Sequence, residues 1–316
     1  MKNNIFMGID TSNYTTSVAF VDRDGNVLSE KRKLLTVKHG ERGLRQSDAF
    51  YQHCFNLPDI LKEAGQAIDF DCVKAIGVST RPRNVEGSYM PVFKCGENFA
   101  EFTGTVLNVP IVKFSHQEGH VKAITSFNSV GNQFLAYHLS GGTNEILRIN
   151  TMMDGEMTIE IIGKTLDISM GQLIDRVGVK LGLDFPAGQT MDQMALEYEE
   201  KLKTNEKPQL TVKPIPIKGL DINVSGIETQ LLRNGAKYEK EEIAYVLFSK
   251  LVACLEKQIK ICKTQYPDLK IVFAGGVSKS EFLRKHLKDQ VIFGQYSSDN
   301  AVGTALLARD RFVEGE

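Results

Sequence analysis

Two histidines separated by four positions are the residues of this sequence with the clearest capacity for chemistry. The stretch IVKFSHQEGHVKAI places His116 and His120 about 40° apart around a helix axis, so both side chains could bind one metal ion. In a zinc protease the catalytic glutamate directly follows the first histidine, whereas Glu118 comes two residues later and points about 200° away from it. The spacing therefore excludes that protease site. It leaves two interpretations open: a different metal site, or two partly buried or surface histidines on one face.

A metal site of this kind needs at least one more ligand. The stretch YSSDNAVGTALLA offers Asp299, in a loop before a predicted helix. Two imidazoles and one carboxylate, with coordination positions left open, suit zinc or non-haem iron. The residue types do not decide between these two metals.

Three loops of small residues follow predicted strands and indicate a second kind of site. They are DTSNYTT (10–16), LSGGTNE (139–145) and AGGVSKS (274–280). Backbone N–H groups in such turns can converge on a phosphate, and none of the three has the Walker A or GxGxxG pattern. One such loop alone is more simply a tight turn. Three of them, each at the carboxyl end of a strand, favour a nucleotide-binding cleft.

The order of strands and turns repeats along the chain. The strands NIFMGID, SVAFVD and VLSEKRKLL are followed later by QFLAYHLS, EILRIN and MTIEIIG, and Asp10 and Ser140 are 130 residues apart, as are Asp24 and Asp154. Equal offsets in the same order indicate an internal duplication. Each half adds helix and further strand, which predicts two α/β halves that face each other across one cleft. The proline-rich segment 203–219 predicts an irregular surface excursion.

Length and composition narrow the class of protein. The chain has 316 residues, enough for two domains, with 42% hydrophobic and 24% charged residues. No apolar run approaches the ~18 residues of a membrane span, and the N-terminus lacks the apolar core of a signal peptide. Cysteines without a CxxC pair argue against a disulfide framework and favour a reducing cytoplasm. They stand at positions 54, 72, 95, 254 and 262. A net charge of −1 means that RNA binding would require a local patch or a partner.

The motifs together resemble those of a known family. HQEGH, LSGGTNE, IDRVGVKLGLDFPAGQTMDQMA, LDINVSGIETQ, AGGVSKSEFLR and YSSDNAVGTALLA occur in an order similar to that of the tRNA N6-adenosine threonylcarbamoyltransferases, formerly called O-sialoglycoprotein endopeptidases. The likeness runs over nearly the whole chain. It implies an α/β, duplicated ribonuclease-H-like fold, shared with actin, sugar kinases and heat-shock ATPases, with two lobes around a nucleotide cleft. We assign the lobes to 1–128 and 129–316, with a last helix that could pack back on the first lobe.

The resemblance also implies roles for individual residues. His116, His120 and Asp299 match the family's metal ligands, and Asp10, Thr11 and Ser12 of the first loop are the candidate catalytic residues. The candidate nucleotide-binding residues are His138, Leu139, Ser140, Gly141, Gly142, Asp175, Gly188, Asp192, Gly275, Gly276 and Ser280. The expected cofactors are one divalent ion (Fe or Zn) and ATP or an adenylate as nucleotide ligand, with Mg²⁺ as a further candidate.

In that family, N6 of adenosine 37 of a tRNA attacks the carbamoyl carbon of threonylcarbamoyl-adenylate, which the metal orients. The resemblance therefore implies a metal-dependent transferase of the cytoplasm. Its expected partners are the adenylate, a tRNA, and either the proteins of a modification complex or a second copy of the chain. No membrane association is expected.

Several positions depart from the family's pattern and indicate a divergent paralogue. The departures are Tyr14 and Thr15 for an acidic pair, Thr143-Asn144 for a histidine, Glu228 for a lysine and Ser280 for an asparagine. A second hypothesis is therefore a non-catalytic, nucleotide- and metal-binding paralogue that acts as a partner or regulatory subunit. A third, a small-molecule kinase that would use Asp10 as base, leaves the histidine pair unexplained.

Overall fold

The computed structural model describes residues 4–12, 14–38, 44–151, 157–202, 207–234, 237–296 and 301–313. Asp299 and Asp154 lie outside the described residues. Contacts divide the described residues into two units, the first within 1–36, 44–129 and 295–316 and the second within 37–43 and 130–294. Residues 295–316, which the sequence analysis assigned to the second lobe, group with the first unit.

Both units contain strands and helices. The strands are β1 (Ile5–Asp10), β2 (Thr15–Asp22), β3 (Val27–Leu34), β4 (Val73–Arg81), β5 (Ile111–Ser115), β6 (Gln133–Leu139), β7 (Asn144–Thr151), β8 (Met157–Lys164), β9 (Ile217–Lys218), β10 (Asp221–Ile222), β11 (Lys270–Ala274) and β12 (Ile292–Phe293). The helices are α1 (Gln46–Ala64), α2 (Phe93–Leu107), α3 (His116–Phe127), α4 (Met170–Lys180), α5 (Gly188–Lys201), α6 (Ser225–Asn234), α7 (Lys240–Gln265), α8 (Glu281–Leu287) and α9 (Val302–Val313). Short 3₁₀ helices cover Phe70–Cys72 and Gly276–Lys279.

Each unit contains a five-stranded sheet, and the two sheets have the same topology. The strand orders are β3-β2-β1-β4-β5 and β8-β7-β6-β11-β12. In both sheets the first three strands form antiparallel hairpins, and the last two run parallel to the first strand of the unit. This repetition supports the internal duplication predicted from the strand and turn order.

The two faces of β1 contribute to different cores of the first unit. Ile5, Met7 and Ile9 belong to a buried cluster that includes side chains of α1 and α2, as the alternation of side chains along a strand requires. Phe6 points to the other face, where it packs with side chains of α9. The first sheet is therefore covered by helices on both faces.

Glycines allow helices to approach the other face of this sheet very closely. A Cβ added at Gly8 would overlap the backbone oxygen of Ala301, and one at Gly77 would overlap that of Thr304. The contact between α9 and α3 is equally close, because a Cβ at Gly303 of α9 would overlap the backbone of Gly119 in α3. These contacts pack α9 on the sheet and α3 on α9, so they position the helix that carries both histidines.

The second unit is built around the long helix α7. Ile243, Val246, Leu247 and Leu251 recur at helical spacing and are buried, in one cluster with Leu135 and other side chains of β6. This confirms the amphipathic helix indicated by the sequence.

The irregular surface excursion predicted at 203–219 is confirmed in part over the described residues. Residues 207–216 contain no regular helix or strand. Leu210, Val212 and Ile215 are nevertheless buried in the core of the second unit. Within the described part of the chain, no helix is both long and apolar enough to cross a membrane.

We predict that Gly303→Ala destabilises the protein by about 3 kcal/mol, because the added methyl group would meet backbone atoms rather than a movable side chain. The measurement is urea-induced unfolding followed by circular dichroism. The control is Gly226→Ala, also in a helix, where an added Cβ has no atom within 4 Å and should cost nothing. Equal stability of the two variants would contradict the close packing of α9 on α3.

Candidate functional site

The first cluster of candidate residues lies where β1 ends and α3 begins. Ser115 caps α3 through a capping box: its side chain accepts a hydrogen bond from the backbone N–H of Glu118, and the Glu118 carboxylate accepts one from the N–H of Ser115. This arrangement starts the helix at His116. Glu118 therefore has a structural role at the helix terminus and does not lie beside the histidine nitrogens, as its spacing predicted.

The Nε2 atoms of the two histidines of α3 face each other. Nε2 of His116 lies 2.9 Å from Nε2 of His120, and both side chains are buried. Two Zn–N bonds of about 2.1 Å at a tetrahedral angle would separate the nitrogens by about 3.4 Å, so a small opening of the pair would fit one ion.

Asp10 determines which nitrogen of His116 is available. Its Oδ2 lies 2.7 Å from Nδ1 of His116, and its Oδ1 accepts a hydrogen bond of 2.7 Å from the N–H of Ser12. Because a carboxylate only accepts, Nδ1 of His116 carries the proton and its Nε2 keeps a lone pair in the neutral ring. A carboxylate behind a histidine is the usual support of a metal-binding imidazole.

The electrostatics of this pair favour an ionised Asp10. Burial alone would raise the pKa of the carboxyl group. The electrostatic interaction with His116, the hydrogen bond from its ring and the hydrogen bonds from Ser12 together outweigh burial and lower that pKa below its ordinary value. Asp10 is therefore a positioning group that stays negative and engaged on both oxygens.

The residues present fit a metal site in part. The His116 and His120 nitrogens are ligands that suit zinc or iron, whereas Mg²⁺ prefers oxygen ligands. Within the described ranges, which omit 297–300, no group of three or more His, Cys, Asp or Glu side chains could hold an ion. The third predicted ligand, Asp299, lies outside those ranges, so the complete ligand set stays a prediction.

Thr11 and Ser12 occupy different surroundings in the first loop. The Thr11 hydroxyl accepts a hydrogen bond from the N–H of Gly96 and donates one to the carbonyl of Val92, so it anchors the loop to the start of α2. The Ser12 hydroxyl lies 3.4 Å from Nε2 of His116. Of these two residues, Ser12 has the hydroxyl adjacent to the histidine pair.

Tyr14, which the resemblance places where an acidic residue is expected, makes a structural contact. Its phenolic oxygen accepts a hydrogen bond from the N–H of Leu44, and Thr15 is the first residue of β2. The substitution of the acidic pair therefore replaces charge by anchoring of the loop.

The second cluster is the turn between β6 and β7. The Ser140 hydroxyl accepts hydrogen bonds from the N–H groups of Gly142 and Thr143, and the N–H of Ser140 donates to the Thr143 carbonyl. His138 approaches the same turn, with its Nδ1 3.3 Å from Oγ1 of Thr143. A Cβ on Gly141 would meet no atom within 4 Å, so the backbone is open on that side.

Two close backbone contacts bring other elements to this turn. Gly171, in the first turn of α4, lies so near that a Cβ there would be 2.6 Å from the Ser140 carbonyl oxygen. Gly275 has a φ of 91° and lies against the backbone of Leu139, where only glycine fits. The 140–143 turn, the N-terminus of α4 and Gly276, which also faces open space, thus form one surface of small residues with accessible backbone. Such a surface is suited to a phosphate.

The carboxylates predicted to bind adenosine, Asp175 and Asp192, act as helix caps. Oδ1 of Asp175 accepts a hydrogen bond from the N–H of Ala187 at the start of α5. Asp192 accepts hydrogen bonds from the N–H groups of Glu281 and Phe282 and from the Ser280 hydroxyl at the start of α8. Sequence reasoning assigned these carboxylates to the nucleotide and missed the capping role, which depends on contacts between distant segments.

Burial raises the pKa of Asp175 to about 6, against the lowering effect of the hydrogen bonds from Ala187 and Gly188. Next to it, Gly188 has open space where a side chain would stand. The second unit therefore contains a half-buried carboxyl group that titrates near neutral pH beside an accessible backbone.

With this geometry, comparison with known proteins decides the family. A model of the family described as tRNA N6-adenosine threonylcarbamoyltransferase, TsaD, matches residues 29–306. The chain belongs to this family. The resemblance seen in the motifs is thus confirmed, and with it the general assignment to transferases of tRNA modification.

Relatives of that name match over nearly their full length. The protein from Mycoplasmopsis synoviae is 28% identical, with 96% of this chain and 97% of the relative aligned. The one from Thermosipho africanus is 30% identical, with 98% and 95% aligned. A probable bifunctional tRNA threonylcarbamoyladenosine biosynthesis protein from Methanothermobacter thermautotrophicus is 27% identical over 90% of this chain and 49% of its own length.

Solved structures share the fold at low sequence identity. Component A of (R)-2-hydroxyglutaryl-CoA dehydratase from Acidaminococcus fermentans has a TM-score of 0.56 at 12% identity, covering 98% of this chain and 99% of its own. The activator of 2-hydroxyisocaproyl-CoA dehydratase from Clostridium difficile, with bound ADPNP, has a TM-score of 0.55 at 10% identity, with 98% and 96% covered. The predicted duplicated ribonuclease-H-like fold is confirmed.

We predict that Asp10→Asn weakens Zn²⁺ binding by about 10- to 100-fold, because one amide oxygen cannot accept from both the Ser12 N–H and the His116 Nδ1–H. Competition with a chromophoric chelator measures the affinity. Asp24→Asn, at an exposed turn, is the control and should bind Zn²⁺ as the parent protein does. Unchanged affinity in Asp10→Asn would contradict the positioning role of Asp10.

We also predict a pH effect from Asp175. Its folded pKa of about 6 lies above the ordinary 3.8, so the folded state binds more protons between these values and loses stability as pH rises through this window. Two pKa units correspond to about 3 kcal/mol. Asp175→Asn keeps the oxygen that Ala187 needs and should lose less stability between pH 4 and pH 7 than the parent protein.

Urea unfolding at both pH values, with the exposed Asp268→Asn as control, measures this difference. The account fails if Asp175→Asn and the parent protein have parallel pH profiles.

Proposed function

We propose that this protein transfers a threonylcarbamoyl group from its adenylate to N6 of adenosine 37 of a tRNA. In this reaction a C–N bond forms between N6 and the carbamoyl carbon. The bond from that carbon to the phosphate oxygen breaks, its electron pair leaves with AMP, and N6 gives up one proton. The donor is an adenylate, so the nucleotide ligand is either this donor or ATP.

The observation that carries the proposal is the pair of Nε2 atoms of His116 and His120, supported by Asp10, in a chain of this family. We propose His116, His120 and Asp299 as ligands of one zinc or iron ion. When bound, such an ion stabilises negative charge on the donor as a Lewis acid. Asp10 keeps His116 in the tautomer that binds, and Thr11 holds the first loop against α2.

Phosphate binding is proposed for the surface formed by Ser140, Gly141, Gly142 and the N-terminus of α4. Its support is the open backbone at Gly141 and Gly276 beside the N-terminus of α4. Gly275 and Gly276 would contribute backbone at the same surface. Asp175, Asp192 and Ser280 would then shape the adenosine side through the helices that they cap.

A specific observation favours a second candidate, a non-catalytic partner protein. Tyr14, which the resemblance places where an acidic residue is expected, is held by a contact to Leu44. The carboxylate that remains in the first loop, Asp10, is bonded to His116 and Ser12 through its two oxygens, so it is not free to accept the N6 proton. Such a protein would bind nucleotide and metal and would alter the activity of an associated enzyme.

The test is a transfer assay with protein reconstituted with zinc or iron(II), threonylcarbamoyl-adenylate and an unmodified tRNA that decodes ANN codons. Digestion of the RNA and mass spectrometry detect the modified nucleoside. We expect product with the parent protein and a loss of at least about 100-fold with His116→Ala, because removal of one ligand releases the ion. His286→Ala, a histidine on the outside of α8 bonded to Glu199, is the matched control and should retain activity.

Metal content by atomic emission accompanies the assay. Absent product together with bound metal and nucleotide in the parent protein would reject the transferase and support the partner protein. Product that survives in His116→Ala would reject the role of the histidine pair.

A further inference from the structure

Two cysteines of the first unit lie in contact although they are 41 residues apart in sequence. Sγ of Cys54, on α1, is 3.3 Å from Sγ of Cys95, in the first turn of α2. Cys54 is exposed and Cys95 is buried. A disulfide has an S–S bond of about 2.05 Å, so the two sulfurs need to approach by little more than 1 Å, which small side-chain rotations can supply.

Each of the two cysteines is adjacent in sequence to a residue that anchors the first loop. His53, next to Cys54, is bonded through Nδ1 to the hydroxyl of Thr16 at 2.7 Å. Gly96, next to Cys95, donates its N–H to the hydroxyl of Thr11. Thr11 and Thr16 bracket the loop that contains Ser12, so a covalent link between the cysteines would join the two anchors.

We propose that Cys54 and Cys95 form a reversible intramolecular disulfide under oxidation by a peroxide and thereby rigidify the first loop. The peroxide oxidises the Cys54 thiol to a sulfenic acid and is reduced to water. The Cys95 sulfur then attacks the Cys54 sulfur, the S–S bond forms, and the sulfenic oxygen leaves as a second water molecule with the Cys95 proton. A small-molecule dithiol reverses the reaction.

The surroundings assign the order of these steps. Cys54 is accessible to a dissolved oxidant, whereas burial and the neighbouring Cys54 raise the pKa of the Cys95 thiol and keep it protonated. Among the described residues the other cysteines have different partners or surroundings. Cys72 donates to Asp69, Cys262 contacts the Tyr137 hydroxyl, and Cys254 is buried. The inference does not depend on the transferase reaction.

The test treats the full chain with hydrogen peroxide and maps its peptides by mass spectrometry without reduction. We expect a linked pair of peptides that contain Cys54 and Cys95, present in the parent protein and in Cys72→Ser, absent in the exposed variant Cys54→Ser, and lost after dithiothreitol. Oxidation should raise the apparent Tm by about 5 °C or more and slow amide exchange at Gly96, with neither change in Cys54→Ser.

Two results would overturn the proposal. One is a Cys54 sulfinic acid with Cys95 still a free thiol. The other is a covalent dimer through Cys54 on a non-reducing gel, which would show that the exposed thiol reacts between molecules.

Discussion

The hydrogen bond between Asp10 and His116 joins the last residue of a buried strand to the first residue of a helix, and the candidate metal site depends on it. The His116 end of this bond is held by two independent contacts. The Ser115–Glu118 capping box starts α3 at His116, and the contact of Gly303 with Gly119 fixes how closely α3 packs on α9. A shift of either helix would separate the carboxylate from the imidazole. His116 would then lose the proton acceptor that leaves its Nε2 available to a ligand.

In the second unit, two carboxylates have structural roles at the N-termini of helices. Asp175 and Asp192 neutralise the N-termini of α5 and α8, where backbone N–H groups have no helical partner. These structural roles are compatible with a nucleotide site, because the Asp175 cap at the start of α5 also positions the open backbone at Gly188. Burial destabilises the ionised form of Asp175 and thereby raises its pKa. Effects of mutations there therefore combine stability with binding.

Sequence predicted the features that depend on local spacing. The succession of strands along each half, the duplication, the helix that carries His116 and His120, and the small-residue turn at Ser140 all follow from periodicity or from neighbouring residue types. Features that depend on distant contacts were out of reach. The bond of Asp192 to Ser280 spans 88 residues, and the burial of Leu210 in an irregular, proline-rich segment depends on a core built by other elements.

The proposed metal site requires that the Nε2 atoms of His116 and His120 bind one metal ion while Nδ1 of His116 remains bonded to Asp10. Anomalous diffraction from crystals of the metal-loaded protein, recorded at the zinc and iron edges, tests it most directly. We expect one peak about 2.0–2.2 Å from both Nε2 atoms, and the edge at which it appears would identify the metal. A metal bound elsewhere with no peak at the pair, or a peak at Nδ1 of His116, would contradict it.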